Sequence, residues 1–249
     1  MVRQRLRVGA TAHSRSSVAS MELIAHRGMP RKSRENTLAG FALAVTAGAD
    51  AIELDVHATR DGVVVVHHDA CLAPSPGSLP QDDGTPLASL TFDDLRHRTF
   101  HGGEIPTLDE ALACIDGRVF TYVEVKGAGI EPLVLAELDR HEAPAAVHSF
   151  DHRIALRCRE LAPDRATGIL SASYVLEPER ELRSAKARDY WQSAELIDAT
   201  LVERVHRAGG RVLAWTVNSV ADAVRLRALG VDAVCTDVVD EIGPALQGG

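Results

Sequence analysis

Two acids stand inside an otherwise apolar run, Ala51-Ile52-Glu53-Leu54-Asp55-Val56. Their alternation with Ile52, Leu54 and Val56 is that of a β-strand, so Glu53 and Asp55 leave on one face with Cα atoms about 7 Å apart. If that face is enclosed, the two carboxylates repel each other and lose hydration unless a cation lies between them. The plainer alternative is a strand edge with two solvated acids. Thr121-Tyr122-Val123-Glu124-Val125-Lys126 repeats the pattern, with Tyr122, Glu124 and Lys126 on one face. Glu124 is a candidate third carboxylate and Lys126 a cation suited to an anionic substrate group, against the alternative of a surface Glu-Lys pair. Such an all-oxygen donor set suits Mg2+, Ca2+ or Mn2+ better than Zn2+.

His26-Arg27-Gly28 and His67-His68-Asp69 each close a strand-like segment. A lone histidine there is most simply a hydrogen-bonded structural group. Two of them beside acid clusters point to proton transfer in both directions, as cleavage of a phosphate ester requires. Arg27 offers a planar, permanently charged fork for phosphate oxygens. Asn36-Thr37 reads as a helix cap, with Glu35 placed to orient the site.

These residues need a scaffold that gathers the ends of many strands. Strand patterns fall at Glu22 to His26, Ala51 to Val56, Val63 to His67, Val119 to Val125, Ala145 to Ser149, Ala166 to Leu170, Arg211 to Val217 and Ala233 to Thr236, with a weaker one at Asp189 to Trp191. Helical patterns lie between them at Asn36 to Ala47, Leu108 to Ile115, Glu131 to His141, His152 to Leu161, Leu201 to Ala208 and Val220 to Leu229. Alternation of this kind builds a parallel sheet. Asp61-Gly62 before four valines signals a hairpin, making Val63 to His67 an antiparallel partner of the preceding strand. About eight βα units then remain, the rhythm of a single-domain (β/α)8 TIM barrel, with a doubly wound sheet as the competing architecture. Active sites of such barrels form at the C-terminal ends of the strands, where these motifs sit. Residues 70–103, rich in Pro, Gly, Ser and Asp, read as a loop insertion after the second strand. Residues 1–20, rich in Arg and Ser, read as a disordered basic arm ahead of a barrel over 21–245.

The composition narrows the partners. The 249 residues carry 27 Lys plus Arg against 35 Asp plus Glu, a formal charge of -8, and a pI near 5.8. That balance argues against nucleic acid as a partner. No apolar run is long enough to span a membrane. Cys71, Cys114, Cys158 and Cys235 lie far apart without zinc-ligand spacing, as expected for reduced thiols of a cytoplasmic protein.

Taken together and in order, the motifs resemble those of the glycerophosphodiester phosphodiesterase family. The resemblance rests on His26-Arg27-Gly28, Glu35-Asn36-Thr37, Glu53-Leu54-Asp55-Val56, Asp61-Gly62, His68-Asp69, Ile105-Pro106-Thr107-Leu108, Glu124-Val125-Lys126, Ser149-Phe150, Trp215-Thr216-Val217-Asn218 and Thr236-Asp237. It implies a (β/α)8 barrel that hydrolyses glycerophosphodiesters to glycerol 3-phosphate and an alcohol with one divalent cation. By motif position it implies Glu53, Asp55 and Glu124 as metal ligands and His26 and His68 as acid and base. Arg27 and Lys126 would contact phosphate, and Trp215 would line the mouth of the site, where ordinary core packing is its alternative role. The chain departs from the family at Arg34, where proline is usual, at Cys71-Leu72-Ala73-Pro74 in place of Leu-x-Arg, and at Val238-Val239 after Thr-Asp. His57 and His67 fall outside the motifs and read as structural or exposed. The attacking group is water or the neighbouring glycerol hydroxyl. A phospholipase D-like activity on lysophospholipids and a catalytically silent phosphodiester-binding barrel are the rival functions.

Overall fold

A computed structural model describes residues 21–72, 84–97 and 104–247. The arm expected over residues 1–20, and residues 73–83 and 98–103 of the expected insertion, lie outside the described residues. Among the described residues the strands are β1 (Glu22–His26), β2 (Ala51–Ala58), β3 (Val64–Val66), β4 (Phe120–Val125), β5 (Ala145–Ser149), β6 (Thr167–Ser171), β7 (Asp189–Ser193), β8 (Arg211–Trp215) and β9 (Ala233–Thr236). The sheet runs β1-β9-β8-β7-β6-β5-β4-β2, and β1 also pairs with β2. Eight parallel strands therefore close into a (β/α)8 barrel rather than an open doubly wound sheet.

Both faces of the barrel strands are buried, for different reasons. Leu23, Ile52, Leu54, Val123, Val147, Val212 and Val234 face outward into the main core. The intervening helices cover them: α1 (Leu38–Thr46), α3 (Leu108–Ile115), α4 (Glu131–Arg140), α5 (His152–Leu161), α6 (Pro178–Ser184), α7 (Ala199–Arg207), α8 (Val220–Leu229) and α9 (Val239–Gln247), whereas α2 (Phe92–Arg96) packs on a separate core. Inside the barrel, Ile24, Ala51, Tyr122, Ala146, Leu170, Trp191, Leu213 and Ala233 form a second apolar layer. Helix starts follow their chemistry. Thr107 caps α3 in a reciprocal box with Glu110, and Asp151, Asp198 and Ser219 cap α5, α7 and α8.

The expected hairpin is present, with Val56, His57 and Ala58 of β2 opposite Val66, Val65 and Val64 of β3. Gly62 makes the turn at φ +84°, the left-handed region where a side chain would strain the backbone. Beneath it Val65, Leu72, Leu87, Leu90, Leu95 and Ile105 form a separate small core. The described residues of the insertion include α2. One local expectation is corrected. The helix after Glu35 begins at Leu38, not Asn36, and its cap is Thr37, whose hydroxyl accepts from Gly40 N at 3.2 Å. Asn36 is free for another task.

Candidate active site

Barrel closure sets five polar side chains side by side. Register pairs His26 of β1 with Glu53 of β2, Asp55 with Glu124 of β4, and Glu124 with His148 of β5. These residues lie one layer above the apolar barrel interior, at the C-terminal strand ends. Glu53, Asp55, Glu124 and His148 are buried, with relative exposures of 3%, 0%, 6% and 1%.

The loop after β1 supplies the first cation. Arg27 sits at φ +52°, which turns its own N–H onto Glu53 Oε2 at 3.2 Å. Its guanidinium lies 3.0 Å from Asp55 Oδ2 and 3.1 Å from Glu35 Oε2. The next residue allows this turn. Gly28 has φ +88°, and a Cβ there would stand 2.8 Å from the backbone carbon of Gly40 in α1. Asn36, also left-handed at φ +55°, donates its amide to Asp55 Oδ2 at 2.9 Å and accepts from Asp55 N at 3.4 Å. It orients the carboxylate.

Lys126, just beyond β4, supplies the second cation, 2.6 Å from Glu124 Oε1 and 3.0 Å from Asp55 Oδ1. Three enclosed carboxylates thus face two cations. Burial opposes the charge on Asp55, but Lys126, Arg27 and the Asn36 amide outweigh it and hold the carboxyl down at about 2. Glu124 is pushed up to about 7, because burial and the Asp55 charge outweigh Lys126. Glu53 rises well above the carboxylate range through burial and repulsion from Asp55 and Glu124. With all three ionised, the carboxylates would carry more negative charge than Arg27 and Lys126 neutralise, and Lys126 is shared between Asp55 Oδ1 and Glu124. Glu53, Glu124 and His148 each offer a ligand atom within 4.8 Å of the others. That chemistry fits a divalent cation.

Each of the two expected proton carriers has an acid partner. His26 Nδ1 donates to Asp237 Oδ1 at 2.7 Å, and Asp237 Oδ2 accepts from Asn218 Nδ2 at 2.7 Å. His68 Nδ1 is 2.8 Å from Asp69 Oδ1. In both rings Nδ1 is engaged and Nε2 remains. His26, Arg27, Glu53, His68, Glu124, Lys126 and Trp215 all line one cavity of about 240 Å³. Asp55 lies just beneath it, holding Arg27 and Lys126. Trp215 packs edge-on against Phe150, ring centroids 5.3 Å apart, at the cavity wall. His57 braces the backbone carbonyl of His68 at 3.1 Å, and His67 bonds to that of Asp69 at 2.9 Å.

A sequence model described as the glycerophosphoryl diester phosphodiesterase family matches residues 26–241. The chain belongs to that family. With it, the chain belongs to the phosphoric diester hydrolases. Among its relatives is the Bacillus subtilis (strain 168) protein YhdW, 32% identical over 234 residues, covering 89% of this chain and 96% of that one. A glycerophosphodiester phosphodiesterase of Caldanaerobacter subterraneus subsp. tengcongensis is 29% identical over 231 residues, covering 86% and 93%. An Oleispira antarctica phosphodiesterase, solved in complex with the product sn-glycerol-3-phosphate, superimposes with a TM-score of 0.81 at 26% identity, covering 92% of this chain and 98% of that one. No described helix is long and apolar enough to cross a membrane.

Several polar partners at the family site escaped the reading of the sequence. The sequence reads Asn36 as part of a helix cap and places His148 only within the strand pattern Ala145 to Ser149. Asp237 and Asn218 carried no role. His148 had a usable signal, since it shares a strand face with Ala146 and one more strand, β5, joins the barrel beside Glu124. Asp237 stands in the Thr236-Asp237 motif, but its pairing with His26 follows only from closure of β9 onto β1.

Proposed function

We propose that this chain hydrolyses glycerophosphodiesters to sn-glycerol 3-phosphate and an alcohol, with a divalent cation held by Glu53, Asp55 and Glu124. The observation that carries the reading is the sharing of one cavity by two acid-backed histidines, two cations and the buried carboxylates. When bound, the cation withdraws negative charge from the phosphoryl oxygens. Arg27 and Lys126 provide fixed positive charge for the diester phosphate, and Asn36 and Glu35 keep those charges aimed. Of the two histidines, one removes the proton of the attacking hydroxyl or water while the other protonates the departing alkoxide. Asp237 and Asp69 fix the tautomers, leaving Nε2 of each ring to exchange protons. A cavity of about 240 Å³ is smaller than the roughly 300–1,000 Å³ of drug-sized pockets. It suits a glycerophosphate head and leaves the alcohol to emerge past Trp215 and Phe150.

The test is release of glycerol 3-phosphate from a panel of glycerophosphodiesters and a lysophospholipid, after EDTA stripping and return of Mg2+, Ca2+ or Mn2+. Glu53→Ala serves as the blank. Metal-restored turnover absent from the blank supports the reading, and turnover of the lysophospholipid alone transfers it to a lysophospholipase D. No turnover with any ion by the folded protein refutes both.

A further inference from the structure

His148 belongs to none of the family motifs, yet it is buried in the polar layer beside Glu124. Its side chain is 1% exposed. Buried imidazoles ordinarily place both ring nitrogens in hydrogen bonds. Here Nδ1 has no partner, and Nε2 is 3.8 Å from Glu53 Oε1, beyond hydrogen-bond reach. The ring is nevertheless held still. It stacks on Trp191 at 4.4 Å with planes 10° apart, and the edge of Tyr122 closes against it at 6.3 Å. A polar ring that is clamped in orientation, unpaired and lining the cavity is built for a ligand absent from its own side-chain neighbours.

The neighbours identify that ligand. A ring nitrogen of His148 lies within 4.8 Å of ligand oxygens of both Glu53 and Glu124. Two donors each about 2.1 Å from one ion stand about 3.0 Å apart when cis and about 4.2 Å when trans, so 3.8 Å to Glu53 is a spacing one ion can bridge with small adjustment. Register gives the same arrangement from the backbone, since Glu124 and His148 are direct neighbours across β4 and β5. Asp55, by contrast, is engaged by Arg27, Lys126 and Asn36.

We infer that His148 supplies a nitrogen ligand to the cation held by the carboxylates, making the centre a mixed nitrogen–oxygen site that favours Mn2+, Co2+ or Zn2+ over Mg2+ and Ca2+. The inference rests on the proposed cation site and adds a ligand to it. Imidazole contributes strongly to the later divalent ions and little to Mg2+ or Ca2+, which are hard and prefer oxygen. The all-oxygen set read from the sequence is therefore extended by a residue from the next strand.

The test is pulsed electron paramagnetic resonance of Mn2+ bound to the metal-stripped full chain, beside the variants His148→Gln, His148→Asn and Glu53→Gln. The wild type should show Mn2+ coupled to a histidine ¹⁴N, and both His148 variants should lose that coupling while keeping their circular dichroism spectrum. Direct titration should show Mn2+ affinity falling about 10- to 100-fold in those variants, the scale on which even indirect partners of a metal act, with Mg2+ affinity nearly unchanged. Glu53→Gln should lose bound Mn2+. Mn2+ that depends on Glu53 yet carries no ¹⁴N coupling in the wild type overturns the inference alone, whether or not the His148 variants fold. A coupling that survives in a folded His148 variant also overturns it, because another histidine then supplies the nitrogen. Absence of site-bound Mn2+ in the wild type overturns the cation site and the inference with it.

Discussion

Replacing Asp237 by Asn tests whether His26 acts through a carboxylate that never touches substrate. The substitution keeps the shape and removes the charge that accepts from His26 Nδ1 at 2.7 Å. Burial opposes the charge on Asp237, but the His26 hydrogen bond, the His26 charge and the Asn218 amide together hold its carboxyl below the usual range. A lowered acid is charged above its ordinary value near pH 4 and loses that charge only as pH falls through the lower one. In an assay at about pH 8, Asp237 is therefore ionised, and the variant measures its removal. Hydrogen bonds to charged groups contribute about 1.5–3 kcal/mol, which is about 10- to 150-fold in rate. The side chain is 18% exposed, so water replaces part of the lost charge and the expected fall in kcat is about 10- to 100-fold. KM should hardly move, because Asp237 is not among the residues lining the cavity. Initial rates of glycerol 3-phosphate release from glycerophosphocholine, across substrate concentrations, separate the two parameters. A variant with unchanged kcat, or one that changes KM alone, refutes the carboxylate-histidine pair as part of the proton transfer.

His26→Ala and His68→Ala should each lower kcat by about 100- to 10,000-fold, the usual contribution of a general acid or base, and near-normal turnover in either removes that histidine from the mechanism. Gly28→Ala places a methyl group 2.8 Å from Gly40 of α1 at a left-handed φ. Urea titration should show about 1–3 kcal/mol of lost stability, the range for strained backbone, together with lower activity as Arg27 shifts. Arg211→Ala removes the cation paired with Glu22 and Asp189 and the donor to the Tyr122 hydroxyl at the opposite end of the barrel, while Glu22 keeps the hydrogen bond from Tyr122. It should cost about 2 kcal/mol in urea unfolding while kcat per folded molecule stays unchanged.

The barrel and most of its charged layer were legible because two periodicities carried them. Outward-facing Ile52, Leu54 and Val56 alternate with Glu53 and Asp55, and Val123 and Val125 alternate with Glu124 and Lys126, so strand, face and chemistry are read from one pattern. β7 was read only weakly, since Asp189, Gln192 and Ser193 are polar yet buried. Two of their partners lie on other strands, Arg211 of β8 for Asp189 and the Ser171 carbonyl of β6 for Gln192, while the neighbouring Arg188 also holds Asp189. Asn36 was misread for a local reason. Asn and Thr are both good caps, and the sequence does not reveal that a left-handed turn at Asn36 swings its amide across to Asp55. Contacts between distant strands, such as His26 with Asp237, follow from closure and have no local signature.

The two ends of the barrel interior show why burial of charge alone does not mark a functional site. At the N-terminal end, Arg211 bonds to Glu22 and to the Tyr122 hydroxyl, which donates to Glu22 at 3.1 and 3.2 Å, while Arg188 holds Asp189 at 2.6 and 2.8 Å. Donors meet acceptors there, and the cluster can be explained as structure. At the C-terminal end, His148 Nδ1 and Trp215 Nε1 lack hydrogen-bond partners, and three carboxylates share two cations. Leaving a buried polar atom unpaired costs about 1–3 kcal/mol. A fold that pairs its buried charges at one end and leaves polar atoms unpaired at the other is suited there to something that enters from outside, which under the proposed function is a cation and a phosphodiester. The same comparison predicts the division of effects: substitutions at the paired end should act on unfolding and those at the unpaired end on turnover. Equal losses of kcat per folded molecule at both ends would refute it.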